Sequence, residues 1–290
     1  MEDTRTEKIG GINIAYEIWE ASVVPMLTHN SESWVNMSKK TMKLLHDFFN
    51  TFHRIIMRIG SGCPTSNLYW QSGSLLVHNL ILKKKLMFYP HLSCLPRESL
   101  AGSVFQIQKT DLSVPGLVSE VNEHIVKIGI PNPSDLSKWQ WKALVRKYIN
   151  HLNKSELLES IKKYKKFNFE QFSKEDFARK PYFYDHNLKT VRALFRLSSR
   201  MIETVRGDFP NKYRKKSLIC PSCRPELSDK HTKKQTDRDA EEGPTDSLEH
   251  LKWKCEGFKE LRSQYNMTDD AQLVEFFENV VSLRKERGED

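Results

Sequence analysis

Three cysteines and one histidine near the C-terminus have the spacing of a metal-binding motif. Cys220 and Cys223 form a C-x2-C pair, and after 26 intervening residues His250 and Cys255 form an H-x4-C pair. A C-x2-C turn directs two thiolates at one ion, and the second pair completes a tetrahedral set. Three thiolates and one imidazole leave no position for water. We therefore expect a structural zinc ion and not a catalytic one.

Two alternatives to this ligand set remain open. His231 could replace His250 as the fourth ligand, although no apolar neighbour anchors it, or the thiols could simply be packed beside a surface histidine. The segment 229–245 is nearly all polar and charged, which predicts a disordered insert inside the motif. On a continuous α-helix His250 and Cys255 would point about 140° apart. We therefore expect the helix to start, stop or tighten between them.

Basic residues precede the motif in two groups. Four of them recur at i, i+3, i+7 and i+11 on one face of a helix predicted over 187–206: Lys189, Arg192, Arg196 and Arg200. A second run lies directly before the first cysteine: Lys212, Arg214, Lys215 and Lys216. Guanidinium forks match phosphate oxygens, and the release of counterions drives such contacts. The pattern predicts contact with RNA or DNA; the alternative is an ordinary solvated helix face.

The composition agrees with a polyanionic partner. The chain has 290 residues and a formal net charge of +9, which favours nucleic acid as the partner. Five cysteines, an odd number, indicate a reducing compartment and metal ligation instead of a disulfide framework. The sequence contains no apolar stretch of membrane-spanning length and no apolar signal core. We expect an intracellular protein, nuclear or cytoplasmic, without a membrane partner; the pattern does not indicate an oligomeric state.

The apolar periodicity predicts a mainly α-helical fold with little strand alternation. Helices are expected over 12–28 with a break at Pro25, from the N-cap Ser38 to Gly60, and over 72–89, 98–108, 115–129, 139–164, 187–206 and 269–287. A polar Asn-Pro-Ser-Asp segment at 132–135 predicts a boundary there. The expected division is a helical domain over 1–131, a helical connector with a basic face over 132–210, and a zinc-knuckle region with a C-terminal helix over 211–290.

Two other residue groups allow more than one interpretation. The aromatic-rich stretch 167–186 is interpreted as extended chain held on the core, with a base-stacking surface as the alternative. Asp269 and Asp270 superficially resemble the paired aspartates of polymerases, but their place at the start of a helix indicates N-capping. No P-loop, nucleophile elbow, H-E-x-x-H motif or dinucleotide-binding glycine fingerprint occurs in the sequence.

The order of these motifs resembles the C-terminal part of the reverse-transcriptase polyprotein of non-LTR (LINE-like) retrotransposons. The residues that carry the resemblance are Ile18–Pro25 (IWEASVVP), Glu32–Trp34 (ESW), Asn211–Lys216 (NKYRKK), and the C-x2-C…H-x4-C set followed by Phe258 and Leu261–Arg262. The resemblance implies a thumb-like helical bundle up to about residue 130 and a CCHC knuckle implicated in nucleic-acid binding. It also implies that the fingers and the palm, with its metal-binding aspartates, would lie upstream of Met1.

The resulting hypothesis is a nucleic-acid-binding fragment without polymerase activity of its own. Two alternatives belong to other classes of protein. The chain could be a thumb that completes a reverse transcriptase supplied in trans, or a zinc-stapled protein–protein adaptor. The salt dependence of RNA binding separates the adaptor from a phosphate-binding protein.

Overall fold

The structure, a computed structural model, describes residues 11–60, 62–129, 136–164, 169–199, 220, 222–223 and 247–287. Within these residues every regular element is helical and no strand occurs, which confirms the predicted mainly α fold. No helix in this part of the chain is both long and apolar enough to cross a membrane. The chain groups into two compact units: Ile12–Pro181, here called the helical unit, and Tyr182–Asp290 with Met1–Gly11, here called the C-terminal unit.

The helices of the two units follow the predicted pattern closely, with local differences. The helical unit holds α1 Gly11–Ile18, α2 Val24–Leu27, α3 Lys39–Met57, α4 Thr65–Ser72, α5 Val77–Ser93, α6 Leu100–Thr110, α7 Leu117–Ile128, α8 Lys138–Lys162 and α9 Phe169–Lys174. The C-terminal unit holds α10 Tyr182–Asp185, α11 Leu188–Ser198, α12 Lys259–Ser263 and α13 Asp270–Glu286. The helix expected over 72–89 is observed as α5, shifted toward the C-terminus, and α4 forms where the sequence predicted no helix.

Helices α5 and α8 organise the helical unit because both run through its two apolar cores. One core includes Trp70 from α4 and the other includes Trp141 from α8. The buried residues of α8 recur at every fourth position, a ridge suited to packing against neighbouring helices: Trp141, Val145, Ile149, Asn153, Leu157 and Ile161. The polar member, Asn153, accepts a hydrogen bond from the Leu76 backbone N–H (2.8 Å) and so caps the start of α5.

The predicted break at Pro25 is replaced by a widened turn. Residues Trp19–Val23 form a π-helical turn, in which the Val24 N–H donates to the Trp19 carbonyl. Pro25 then occupies the first turn of α2, where its missing N–H costs nothing. The turn buries Trp19, whose indole stacks on Phe52 with ring centroids 3.7 Å apart.

The helical unit extends to Pro181, whereas the first helical domain was expected to end at residue 131. Two contacts explain this difference. Helix α8 packs on α4, α5 and α7, and the backbone after α9 returns to α4, where the Lys180 N–H donates to the Gln71 carbonyl (3.1 Å). Gly73 permits this return: it has a φ of +66°, and a Cβ there would lie 2.3 Å from the Arg179 backbone nitrogen.

Part of the aromatic stretch 167–186 lies on the core, as the favoured interpretation expected. Phe172 and Phe177 contact Trp70 edge-on, with ring centroids 5.6 and 5.8 Å away. Phe183 is fully buried. The local structure is not extended, however, since short helices α9 and α10 form within the stretch.

A buried polar pair links α1 to α3 in the helical unit. The Tyr16 hydroxyl and His53 Nδ1 lie 2.8 Å apart, and His53 is completely buried. Burial, reinforced by the positive charge of Arg179, lowers the pKa of His53 to about 3. The imidazole is therefore neutral in the folded protein at neutral pH.

In the C-terminal unit, the N-cap predicted at the start of the last helix is observed. The Asp269 carboxylate accepts a hydrogen bond from the Gln272 N–H (2.9 Å) at the start of α13, which confirms its interpretation as an N-cap. Asn187 caps α11 in the same way through Thr190. The connector predicted over 132–210 is divided, because α11 packs against α13 in this unit.

Candidate metal centre

The structure brings the four predicted ligands together. The Sγ atoms of Cys220, Cys223 and Cys255 and one ring nitrogen of His250 lie within 4.8 Å of one another. Cys223 Sγ is 3.3 Å from His250 Nε2 and 3.4 Å from Cys255 Sγ, and Cys220 Sγ is 3.7 Å from Cys255 Sγ. These separations are too long for a disulfide, whose sulfurs lie ~2.05 Å apart. The group could hold a metal ion.

A widened helical turn brings the side chains of the H-x4-C pair, His250 and Cys255, closer to the same face of the helix. Residues His250–Lys254 form a π-helical turn, and the Cys255 N–H donates to the His250 carbonyl, five residues back (2.8 Å). A π-helix has more residues per turn than an α-helix, so side chains five apart project closer to the same face. The helix was expected to start, stop or tighten between His250 and Cys255; instead its turn is wider, which lets both residues reach one point.

The C-x2-C turn packs tightly against Gly257, which lies two residues after Cys255. A Cβ at Gly257 would lie 2.6 Å from the Ser222 carbonyl oxygen. Only glycine permits this approach, because the contact is with backbone that cannot rotate away. The two halves of the motif are therefore held together by backbone packing as well as by the ligands.

An arginine that the sequence analysis did not single out lies against the ligand sulfurs. Arg284 of α13 is completely buried, and its Nη2 lies 3.4 Å from Cys220 Sγ. Its guanidinium also lies over the Phe258 ring, 5.8 Å from the centroid. A buried cation beside thiolates offsets their negative charge. The sequence contained a signal for it: Arg284 follows Phe277 and Val280 at the i, i+3, i+7 spacing of the buried face of α13.

A second arginine holds the backbone around the π-helical turn. Arg262 donates to the carbonyls of Leu251 and Cys255, at 3.0 Å each. Leu251 lies within the turn and Cys255 directly follows it. Arg262 therefore fixes the main chain that carries two of the ligands.

The surroundings of Cys255 disfavour its charged form. The hydrogen bond with Cys220, burial, and the nearby Cys223 all raise the pKa of Cys255. Several thiolates cannot coexist at such short range without a positive ion between them. The cluster is therefore suited to a cation that replaces the thiol protons.

The predicted nucleic-acid contacts are only partly within the described residues. Arg196 is exposed and Arg192 half-buried on α11. The same helix buries Leu194 and Leu197 in the apolar core that contains Cys220 and Cys255. Lys189 is exposed and forms an ion pair with Glu278 of α13 (3.2 Å). The other predicted residues lie outside the described part of the chain: Arg200, Lys212, Arg214, Lys215, Lys216 and the alternative ligand His231.

One exposed aromatic residue at the centre was also missed by the sequence analysis. Trp253, in the π-helical turn between His250 and Cys255, is 55% exposed. The Lys252 ammonium lies over its ring, 4.8 Å from the centroid. The signal in the sequence was its position between Lys252 and Lys254 within the H-x4-C pair.

Comparison with protein families, with curated proteins and with solved structures finds no match to this chain. The functional argument therefore depends on the geometry of the metal centre and on the sequence itself.

Proposed function

We propose that the Cys/His cluster binds one structural zinc ion. The observation that carries this proposal is the set of ligand separations. An ion 2.3 Å from two sulfurs at a tetrahedral angle places them about 3.8 Å apart, and a sulfur and an imidazole nitrogen about 3.6 Å apart. The separations of 3.7, 3.4 and 3.3 Å are close to these values.

The ligand set favours a structural role. Four protein ligands complete a tetrahedron and leave no position for a substrate or an activated water. Cys220 and Cys255 are also fully buried within the apolar core of the C-terminal unit. The ion would thus join segments that the sequence separates by up to 35 residues.

Metal analysis of purified protein tests the zinc site. We expect about one zinc per chain in the wild type and a large loss in Cys223→Ser. Cys94→Ser is the matched control, because Cys94 is an exposed free thiol in the helical unit. A zinc content in Cys223→Ser equal to that of the control would reject the ligand assignment.

We propose further that the C-terminal unit binds nucleic acid through phosphate contacts. The support is the basic face of α11, on which Arg196 is exposed, and the run of Lys212, Arg214, Lys215 and Lys216 before Cys220. Because α11 shares its apolar core with the metal ligands, the zinc site would hold this face in a defined position. A repeated array of charges on a rigid element is suited to a phosphate backbone.

A charge-removal series tests the phosphate contacts. We expect the triple change of Arg192, Arg196 and Arg200 to Gln to weaken binding of every RNA or DNA sequence. The slope of log affinity against log salt should shrink by roughly 0.7 per lost contact on single strands. The matched control changes Lys39, Lys40 and Lys43 to Gln, three exposed residues of α3. Equal losses in both triple variants would show that only total charge matters.

Salt titration of the wild type separates the proposed function from the adaptor alternative. A phosphate-binding protein loses affinity steeply as salt rises, whereas an adaptor shows no binding of RNA or DNA to titrate. Absence of salt-dependent binding to either nucleic acid would favour the adaptor.

The motif order quoted above supports a further proposal, that the chain corresponds to the C-terminal part of a non-LTR reverse transcriptase. We expect no polymerase activity from this chain alone. Among the described residues, the only cluster of three or more possible metal ligands is the Cys/His group, and two-metal transfer requires carboxylates. Primer extension on an RNA template with magnesium tests this, and template-dependent extension by the pure protein would contradict it. Extension only after a palm-containing partner is added would favour the thumb acting in trans.

A further inference from the structure

Trp253 occupies an unusual place for a large apolar side chain. It lies between two candidate metal ligands whose own side chains are buried, yet its indole is 55% exposed. Leaving an apolar indole in water has an unfavourable free energy, and the exposed part of the ring makes no packing contacts that would offset it. The side chain therefore has contact area available for a partner.

The backbone beneath Trp253 is held at both ends. The Leu251 N–H donates to the Ser247 carbonyl (3.0 Å), and the Cys255 N–H donates to the His250 carbonyl (2.8 Å). Arg262 binds the carbonyls of Leu251 and Cys255. A ring on such a support loses little conformational freedom when it binds, which is the condition for a preorganised binding platform.

Positive charge flanks the ring on both sides along the chain. Lys252 lies over the indole, 4.8 Å from its centroid, and Lys254 is exposed. Acidic residues are also present nearby: Asp270 and Glu249 lie close enough to interact electrostatically with Lys252, whereas Glu256 is paired with Lys259 at 3.7 Å. The immediate surroundings of the indole thus combine an aromatic surface with two ammonium groups.

We propose that Trp253 is a base-stacking platform for single-stranded RNA or DNA, with Lys252 and Lys254 contacting the adjacent phosphates. This inference rests on the proposed nucleic-acid function and specifies its substrate class. Aromatic side chains stack on unpaired bases, whose faces are open, whereas the bases of a duplex are already stacked on one another. The α11 face would then supply sequence-independent phosphate contacts, and Trp253 would supply the preference for single strands.

The helical unit offers a closely matched control. Trp139 at the start of α8 is 76% exposed, and the Lys142 ammonium lies 5.3 Å from its ring centroid. It is the same type of exposed Trp–Lys pair, in the unit that does not contain the metal centre. If removing any exposed tryptophan weakened binding, Trp139→Ala and Trp253→Ala would lower the affinity alike. If a base stacks on Trp253, only Trp253→Ala would lower it.

The test measures binding of a single-stranded 12-mer RNA, the same sequence in DNA, and the corresponding duplexes to the full chain. We expect Trp253→Ala to bind single strands roughly 5- to 150-fold more weakly, the range found for loss of one stacked base. Trp253→Phe should lose less, because it keeps an aromatic face. Duplex affinity should change by less than about twofold in both variants, and Trp139→Ala should bind as the wild type does.

Three results would overturn the inference: unchanged single-strand affinity in Trp253→Ala, equal losses on single strands and duplexes, or an equal loss in Trp139→Ala. Zinc content measured on each variant shows whether the metal centre is intact, and Trp253→Phe supplies the comparison if the alanine variant loses metal. Failure of the proposed function itself would be distinct, because the wild type would then show no salt-dependent binding at all.

Discussion

The helical unit and the C-terminal unit differ in what fills their cores. The helical unit contains two apolar clusters built around α5 and α8, and their buried members are aliphatic and aromatic side chains. The core of the C-terminal unit includes two of the candidate ligands, Cys220 and Cys255. The comparison indicates two ways to fill a core in one chain: aliphatic and aromatic side chains alone in the helical unit, and apolar side chains together with a Cys/His group that could hold a metal ion in the C-terminal unit.

The two units also differ in the groups that contact a largely buried arginine. In the helical unit, Arg179 is paired with the carboxylate of Glu20 (2.5 Å) and the amide oxygen of Asn13 (2.6 Å). In the C-terminal unit, Arg284 faces the sulfur of Cys220 (3.4 Å). A divalent ion with three thiolates and a neutral imidazole has a net charge of about −1. Arg284 is thus placed to balance the metal centre as Glu20 balances Arg179.

Metal removal should give the largest difference between the units. Chelation, or Cys255→Ser, should unfold the C-terminal unit while the helical unit persists, because structural zinc contributes ~10–16 kcal/mol in zinc-finger peptides. Hydrogen exchange measures this: amides of α11 and α13 should lose protection, while those of α8 keep it. Loss of protection in all three helices would show that the units do not differ in this way, and retention in all three would show that the metal is not structural.

A core truncation should produce the reverse pattern. Trp70 is completely buried, so Trp70→Ala should lower the free energy of unfolding of the helical unit by about 3–5 kcal/mol. Zinc content should remain that of the wild type, and denaturant unfolding followed by exchange of the α8 amides measures the effect. Trp139→Ala, at an exposed position, is the control and should change stability by less than about 0.5 kcal/mol. A loss below 1 kcal/mol in Trp70→Ala would contradict the packing described for this core.

The pH dependence of the helical unit should report on His53. Its pKa is lowered in the folded state from 6.5 to about 3, so the unfolded chain binds more protons between these values. The free energy of unfolding should be highest above pH 6.5 and fall by up to about 1.4 kcal/mol per pH unit as the pH drops toward 3.

The matched variant for this pH effect is His53→Gln, which keeps a polar partner for Tyr16 but does not titrate. Its unfolding free energy, measured on the α8 amides, should depend less on pH over the same range. Identical pH profiles for the two proteins would show that His53 does not control the acid sensitivity of this unit.

The smallest expected effect concerns the arginine at the metal centre. Arg284→Met keeps an unbranched side chain but removes the charge and the N–H···S hydrogen bond. Metal affinity should fall about 10- to 100-fold, the usual effect of removing a group that supports a metal ligand. Competition with a chelating dye measures it. Arg287→Met is the control, because Arg287 also lies over the Phe258 ring, at 5.4 Å, from an exposed position; similar losses in both variants would indicate a packing effect.

Several local features could be predicted because they depend only on neighbours in the sequence. Ser38 caps α3 through the Thr41 N–H (3.1 Å), and Asp269 caps α13, both as the residue types indicate. The mainly helical fold followed from apolar periodicity, and the ligand quartet followed from the C-x2-C and H-x4-C spacings. Each of these signals spans only a few residues, so no knowledge of distant contacts was needed.

The tertiary structure decided the features that depend on distant parts of the chain. The unit boundary at Pro181 depends on the approach of Lys180 to Gln71 across more than a hundred residues. The position of Arg284 beside Cys220 also depends on packing between segments far apart in sequence. The π-helical turn at His250 is needed because both ligands must reach one point. The sequence by itself therefore determined the helices, their caps and the identity of the ligands. The three-dimensional packing decided which helices form a unit, which charge faces the metal centre and which tryptophan faces solvent, because those outcomes follow from contacts that close only when the chain is folded.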